Sequence, residues 1–124
     1  MPLHLYMETN EQSLNEEWQE LLLQLEQSLG KRPSDLNAVL FLIGVQELGR
    51  GPQTFTKEQK QDLMHIAVCK VLSLSGFYQL EGLDTDGWPH WRSVKPLPHF
   101  NLFAQEHLLK IHVLRYFREE LLFL

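Results

Sequence analysis

The chain has little cysteine, no long apolar run and no cluster of basic residues, and each shortage excludes a class of protein. Its single cysteine, Cys69, cannot form an internal disulfide, which argues against a disulfide-stapled secreted domain. The longest apolar run, residues 38–45, is far shorter than the roughly 20 residues that a helix needs to cross a bilayer. The N-terminal residues lack the basic and apolar parts of a signal peptide, so we expect a cytoplasmic protein and no membrane partner.

Positive charge is also scarce, since 11 Lys and Arg residues stand against 16 Asp and Glu residues, for a formal net charge of -5. Binding to phosphate backbones needs a clustered positive face, and the basic residues here are scattered, so we expect no nucleic-acid partner. A length of 124 residues, with 44% hydrophobic and 22% charged residues, is typical of one ordinary globular domain and not of a disordered chain.

The first helix is predicted over residues 14–29. Ser13 and Glu16 form a capping box ahead of it, and apolar residues then recur at helical spacing on one face, with Leu29 as the last of them. Residues 1–10 show no such spacing. We therefore predict a short non-helical lead-in at the N-terminus.

The second helix is predicted over residues 36–48, behind a cap at Ser34 or Asp35. Its segment 38–45 is apolar around the whole circumference, which is typical of a helix in the centre of a protein. Gly44 costs about 1 kcal/mol relative to alanine in a helix interior. Its presence predicts that another helix crosses closely at this point.

Two further helices are marked by their caps. A capping box that opens at Thr56 predicts a third helix through about residue 74. Asn101 is predicted to cap a fourth helix that extends to about residue 121. Its inward-facing residues are predicted to be Leu102, Leu109, Val113, Phe117 and Leu121. The apolar residues that follow, Leu-Leu-Phe-Leu, are unusual for a free terminus.

The connection between these two helices is long and irregular. Residues 77–83 alternate weakly and could pair with residues 90–94 as a short hairpin, although a continuation of the third helix fits nearly as well. The predicted fold class is mainly α: a single-domain, four-helix, bundle-like arrangement with a long irregular connection, or a short β-hairpin, between helices three and four.

Residues 82–99 are the stretch most able to form a site, because they combine carboxylates, imidazoles and tryptophans. Asp84 and Asp86 resemble part of a calcium loop, but Gly82 and Ser93 stand where two acidic ligands belong. The same string is ordinary turn chemistry, which is the interpretation we favour.

His90 and His99, together with Asp84 and Asp86, are weak candidates for holding a transition metal, since no helical metal-ligand spacing supports them. In the Trp-Pro-His-Trp segment the two rings, Trp88 and Trp91, are explained best as anchors that cover the end of a helical core. A ligand pocket floored by these rings is the alternative.

Glu47 stands on the line of a helix that otherwise looks buried, so its carboxylate needs a partner or must reach water. We expect a tryptophan N–H, an arginine, His90 or His99 as that partner. A buried pair with a histidine would be the best acid–base candidate of the chain, but a structural tie is the favoured interpretation.

Two other histidine arrangements indicate structure more than chemistry. His65 and Cys69 share a helix face four residues apart, but the cysteine lies in an apolar stretch and is interpreted as a buried small residue, not a nucleophile. His107 and His112 are five residues apart and point in different directions, so they cannot bind one metal together.

Two strings, Leu40-Phe-Leu-Ile-Gly-Val-Gln-Glu-Leu-Gly49 and Gly82-Leu-Asp-Thr-Asp-Gly-Trp-Pro-His-Trp91, resemble a family of small bacterial helical proteins without a known activity. The resemblance extends over most of the chain beyond the first helix. It implies a helical, bacterial, cytoplasmic protein, and it transfers no catalytic residue.

These patterns favour a non-enzymatic interaction or assembly protein that forms homo-oligomers, because the apolar residues exceed what four helix faces need to bury. No cofactor is implied. The alternative is a small-molecule or metal-binding protein, or a small enzyme, whose site places Trp88, His90, Trp91 and His99 over Glu47.

Overall fold

The computed structural model describes residues 3–99 and 101–121, with side chains described for 11–99 and 101–121. The fold is mainly helical, with a small antiparallel sheet between the last two helices, which confirms the predicted class at this level. The elements in chain order are α1 (Leu3–Leu29), α2 (Leu36–Leu48), α3 (Lys57–Ser73), β1 (Tyr78–Leu83), β2 (Pro89–Ser93) and α4 (Leu102–Glu119).

The first helix begins earlier than predicted. α1 begins at Leu3, so residues 3–10 are helical and not a lead-in, and Ser13 and Glu16 lie inside the helix instead of capping it. The prediction relied on apolar spacing, which a helix needs only where it packs. Extending an existing helix costs far less than nucleating one, so a stretch that lacks this spacing but contains no breaker can continue it.

The other helix starts are confirmed by their hydrogen bonds. The Asp35 carboxylate accepts from the Ala38 backbone N–H at 2.9 Å at the start of α2. Thr56 and Gln59 form both hydrogen bonds of the capping box at α3. At α4, the Asn101 side chain accepts from the backbone N–H of Ala104 at 2.8 Å. These caps satisfy backbone donors that would otherwise lack partners.

The helix crossing predicted at Gly44 is present between α2 and α3. A Cβ built on Gly44 would collide with the backbone carbonyl of Leu63 and lie 2.8 Å from the Leu63 Cβ. Glycine is therefore required here because the two backbones approach too closely for a side chain.

Of the alternatives left open for residues 77–94, the structure has the hairpin. β1 and β2 pair in antiparallel fashion, with Tyr78 opposite Ser93 and Leu83 opposite Pro89, and a bulge occurs between Leu80 and Gly82. The hairpin follows α3 directly, so the Trp-Pro-His-Trp segment lies at β2 and the turn before it.

One hydrophobic core takes side chains from all four helices, including Trp18 and Leu21 of α1. A second, smaller cluster joins α2, α3 and the loop between them, and Trp88 packs against it, which confirms this ring as an anchor. Its buried members are Leu48, Phe55, Leu63 and Ile66.

Three residues predicted to face inward are exposed. Leu29 is 52% exposed, Leu102 is 83% exposed and Leu121 is 36% exposed. All three stand at or just beyond the end of a helix, where the apolar spacing continues but no neighbouring element covers the face. In the part of the chain that the structure describes, no helix is long and apolar enough to span a bilayer.

Candidate functional site

The Asp84 carboxylate organises the turn of the hairpin. Its Oδ1 accepts from the backbone N–H groups of Asp86 and Trp88 at 2.9 and 3.0 Å, and its Oδ2 lies 3.0 Å from Nε2 of His90. The hydrogen bond with His90, followed by that from Trp88, lowers the pKa of Asp84 below its usual value. Asp84 therefore serves the turn, as expected for an Asp-x-Asp-Gly string.

A small open pocket of about 300 Å³ lies between α3 and the hairpin, and we call it the hairpin pocket. It brings together four of the candidate site residues of the 82–99 stretch with three residues of α3. The lining consists of Asp62, His65, Ile66, Asp84, Trp88, Pro89, His90 and Trp91. Asp62 and His65 gave no sequence signal toward the hairpin, because only the packing of β2 on α3 brings them there.

Trp91 forms part of this pocket in an unusual way. Its indole N–H is buried and has no acceptor among the described residues. Buried donors nearly always find a partner, and leaving one unpaired costs free energy. The Trp91 side chain therefore donates no hydrogen bond to the described part of the chain, while its backbone is paired with β1 opposite Leu80.

Glu47 does not join the hairpin pocket. Tyr116 of α4 donates its hydroxyl to Glu47 Oε2 at 2.7 Å, and Lys70 Nζ lies 3.9 Å from Oε1, so neither His90 nor His99 is the partner that we expected. The next residue, Leu48, belongs to the cluster that Trp88 covers. One residue is about 100° of helical rotation, which turns Glu47 away from the hairpin and toward α4.

His99 is exposed and does not line the hairpin pocket, and Asp86 is exposed on the turn. Of the four metal candidates, the structure joins only Asp84 and His90. Within residues 3–99 and 101–121, no group of three or more His, Cys, Asp or Glu residues could hold a metal ion.

Cys69 contacts His65, with 3.6 Å between Sγ and Nε2. The thiol is fully buried, and burial raises its pKa to about 11. A reactive thiol needs a lowered pKa, whereas the pKa of Cys69 is raised. The contact with His65 is therefore not that of an activated nucleophile with its base.

His112 forms a network that the sequence did not reveal. Its Nδ1 lies 2.8 Å from the Leu108 carbonyl, so Nδ1 carries the proton and Nε2 accepts from the Ser75 hydroxyl at 2.7 Å. Arg115 also donates to Ser75, at 3.0 Å. These bonds tie the end of α3 to α4. Ser75 and His112 are 37 positions apart, so the local spacing of residues in the sequence could not predict their contact.

A second and larger cavity is an open groove of about 710 Å³ among α1, α2, α4 and the loop after α2, which we call the apolar groove. None of its lining residues is charged. They are Leu25, Ser28, Leu29, Phe41, Leu42, Ile43, Val45, Gln46, Gly49, Gly51, Pro52, Gln53, Phe55, Tyr116, Phe117 and Leu121. The side of α2 that we expected to be central thus borders this groove.

Comparison with known protein families, with curated proteins and with solved structures found no match to this chain.

Proposed function

We propose that the protein is a non-enzymatic, homo-oligomeric assembly protein in which a second copy covers the apolar groove. The observation that carries this proposal is the absence of charge from a groove of about 710 Å³ on the surface of a chain in which 22% of residues are charged. Contiguous apolar patches of this kind mark interaction sites, and the centres of protein interfaces are depleted of charged residues.

A second copy is the occupant that the charges favour. Two chains of formal charge -5 repel each other, so contact between them is least unfavourable where neither surface carries a carboxylate. The groove offers such a surface, and Leu29 and Leu121 in its lining are 52% and 36% exposed. A twofold arrangement would place the same uncharged face on both partners, as closed dimers usually do.

The chain offers a matched pair of substitutions for the test. Leu29→Glu introduces a charge into the groove, whereas Leu23→Glu introduces the same charge on α1 outside it, at a residue that is 41% exposed. We expect the wild type and Leu23→Glu to form oligomers and Leu29→Glu to be monomeric at the same concentration, as measured by light scattering coupled to size exclusion.

A monomeric wild type at all concentrations would overturn the proposal. If Leu29→Glu forms the same oligomers as the wild type, the interface does not lie at the groove. Circular dichroism checks that both variants remain folded, which is expected because both leucines are partly exposed.

The proposal also includes a single bundle-like domain, a bacterial origin and a cytoplasmic location. A core shared by all four helices supports a single bundle-like domain. The resemblance of the Asp-Gly-Trp-Pro-His-Trp string supports a bacterial origin, and the single buried cysteine is in keeping with a cytoplasmic location. Cell fractionation with an antibody against the protein tests the location.

A further inference from the structure

We propose that the hairpin pocket is a binding site for a small organic cation that carries an ammonium group. This site is independent of the apolar groove, because it lies between α3 and the hairpin and shares no lining residue with that groove. The charge, the aromatic rings and the size of the pocket all suit such a ligand.

With its two histidines, His65 and His90, counted as neutral, the formal charge of the lining is negative. Asp62 of α3 and Asp84 of the turn contribute carboxylates from different elements, and no lysine or arginine lines the pocket. Asp84 is engaged by the turn and by His90, whereas Asp62 has no hydrogen bond or ion pair with any described residue. The Arg50 guanidinium lies against Gly87, outside the lining. A cation is therefore favoured over an anion.

The two tryptophans supply the second requirement. Trp88 and Trp91 both line the pocket, and the face of an indole ring attracts ammonium groups more strongly than any other side-chain ring. The protein uses this contact within itself, since Lys110 Nζ lies 5.3 Å from the ring centroid of Trp18. Carboxylates beside indole rings are what an organic ammonium ion needs.

The pocket is also largely formed before any ligand enters. Trp88 is fixed by its backbone bond to Asp84 and by its packing on the second cluster. A volume of about 300 Å³ is roughly that of ten water molecules, at about 30 Å³ each, which is too large for a bare metal ion and suits a small organic molecule. Preorganisation of this kind reduces the cost of binding.

Choline and its uncharged analogue 3,3-dimethylbutan-1-ol are the probes, because they have the same shape and differ in charge. We expect choline to bind saturably with a Kd of about 1–10 mM, and the analogue to bind at least about tenfold more weakly. Chemical shifts of the indole N–H protons in ¹H–¹⁵N spectra report the binding site directly. Equal affinity for the two probes, or no saturation by choline at about 50 mM, would overturn the proposal.

Substitutions then locate the site. Asp62→Asn removes a carboxylate that has no partner among the described residues and is expected to weaken choline binding about three- to fivefold. Glu58→Gln, at another exposed acid on α3 but outside the pocket, is expected to leave it unchanged. Trp91→Leu keeps apolar bulk but removes the ring, and is expected to abolish saturation. Wild-type affinity in Asp62→Asn and Trp91→Leu would contradict the site.

Choline binding to the hairpin pocket should not depend on self-association. Leu29→Glu alters only the apolar groove and is expected to bind choline with wild-type affinity. Loss of choline binding in Leu29→Glu would overturn the assignment to the hairpin pocket, whatever the oligomeric state of that variant.

Discussion

The hydroxyl of Tyr116 gives the carboxylate of Glu47 a donor at the contact of α2 and α4. Tyr116 is fully buried, and its burial together with the hydrogen bond to Glu47 raises its pKa well above the usual value. Lys70 lies close to both Glu47 and Glu120, so the carboxylate also faces a positive charge. This arrangement explains how a charged residue is accommodated on the inward line of an apolar helix.

We predict that Tyr116→Phe lowers the free energy of unfolding by about 1–2 kcal/mol at pH 7, because it leaves a half-buried carboxylate without its donor. Urea denaturation measures this change. Tyr78→Phe, at a half-buried ring without a hydroxyl partner among the described residues, should change it by less than about 0.5 kcal/mol.

The raised pKa adds a test of pH dependence. A folded pKa above the unfolded value of about 10 means that the stability from the neutral phenol is complete below pH 10 and is lost as the pH rises beyond it. The difference between wild type and Tyr116→Phe should therefore narrow above pH 10. A difference that stays constant or grows there would contradict the role of the hydroxyl.

The crossing of α2 and α3 depends on Gly44. Alanine at this position would gain about 1 kcal/mol of helix propensity but would force the two backbones apart, at a typical overpacking cost of 1–3 kcal/mol or more. Because the clash is with backbone and not with a flexible side chain, the overpacking cost outweighs the gain in propensity, and we expect a net destabilisation of about 1–2 kcal/mol for Gly44→Ala. Asn37→Ala, on the exposed face of α2, should be neutral or slightly stabilising in the same urea titration.

The hairpin turn depends on the ionised form of Asp84. Its pKa is lowered in the folded state, so its contribution to stability is present above about pH 4 and is lost as the pH falls through the folded pKa. Asp84→Asn should lower the melting temperature at pH 6, with a difference from wild type that shrinks toward pH 2.5.

Asp86→Asn is the matched control, since this carboxylate is exposed on the same turn and does not bond His90. Its melting temperature should equal that of the wild type at both pH values. An Asp84→Asn variant whose deficit is larger at pH 2.5 than at pH 6 would show that the turn does not need the charge.

Elements could be predicted from the sequence where a local chemical signal marks them. Asp35, Thr56 and Asn101 cap helices through bonds to residues three positions away, and such bonds leave a pattern in the chain. The start of α1 at Leu3 was missed because residues 3–10 carry no apolar spacing. Asp84 was recognised as a turn residue for the same local reason.

Contacts between distant segments could not be predicted in this way. Glu47 was recognised as a residue that needs a partner, but Tyr116 is 69 positions away and only the packing of α2 against α4 selects it. Asp62 and His65 reach the hairpin pocket through packing alone. The apolar groove was missed because an all-apolar helix predicts burial and does not say whether the same chain or a second copy provides it.

The distribution of charge over the whole molecule predicts how the proposed self-association should respond to salt. Each copy carries a formal charge of -5, while the apolar groove is uncharged. Long-range repulsion between copies should therefore oppose association, and no ion pair in the groove should favour it. The screening length falls from about 10 Å at 0.1 M salt to about 3 Å at 1 M, which weakens the repulsion and leaves the apolar contact intact.

We expect sodium chloride between about 0.05 and 0.5 M to tighten the association of the wild type, as measured by sedimentation equilibrium. Leu29→Glu should remain monomeric over this range, because the carboxylate would be desolvated inside the contact and screening does not remove that cost. Association that weakens steadily with salt would mean that ion pairs hold the copies together, and it would place the interface on a charged face of the molecule instead of at the groove.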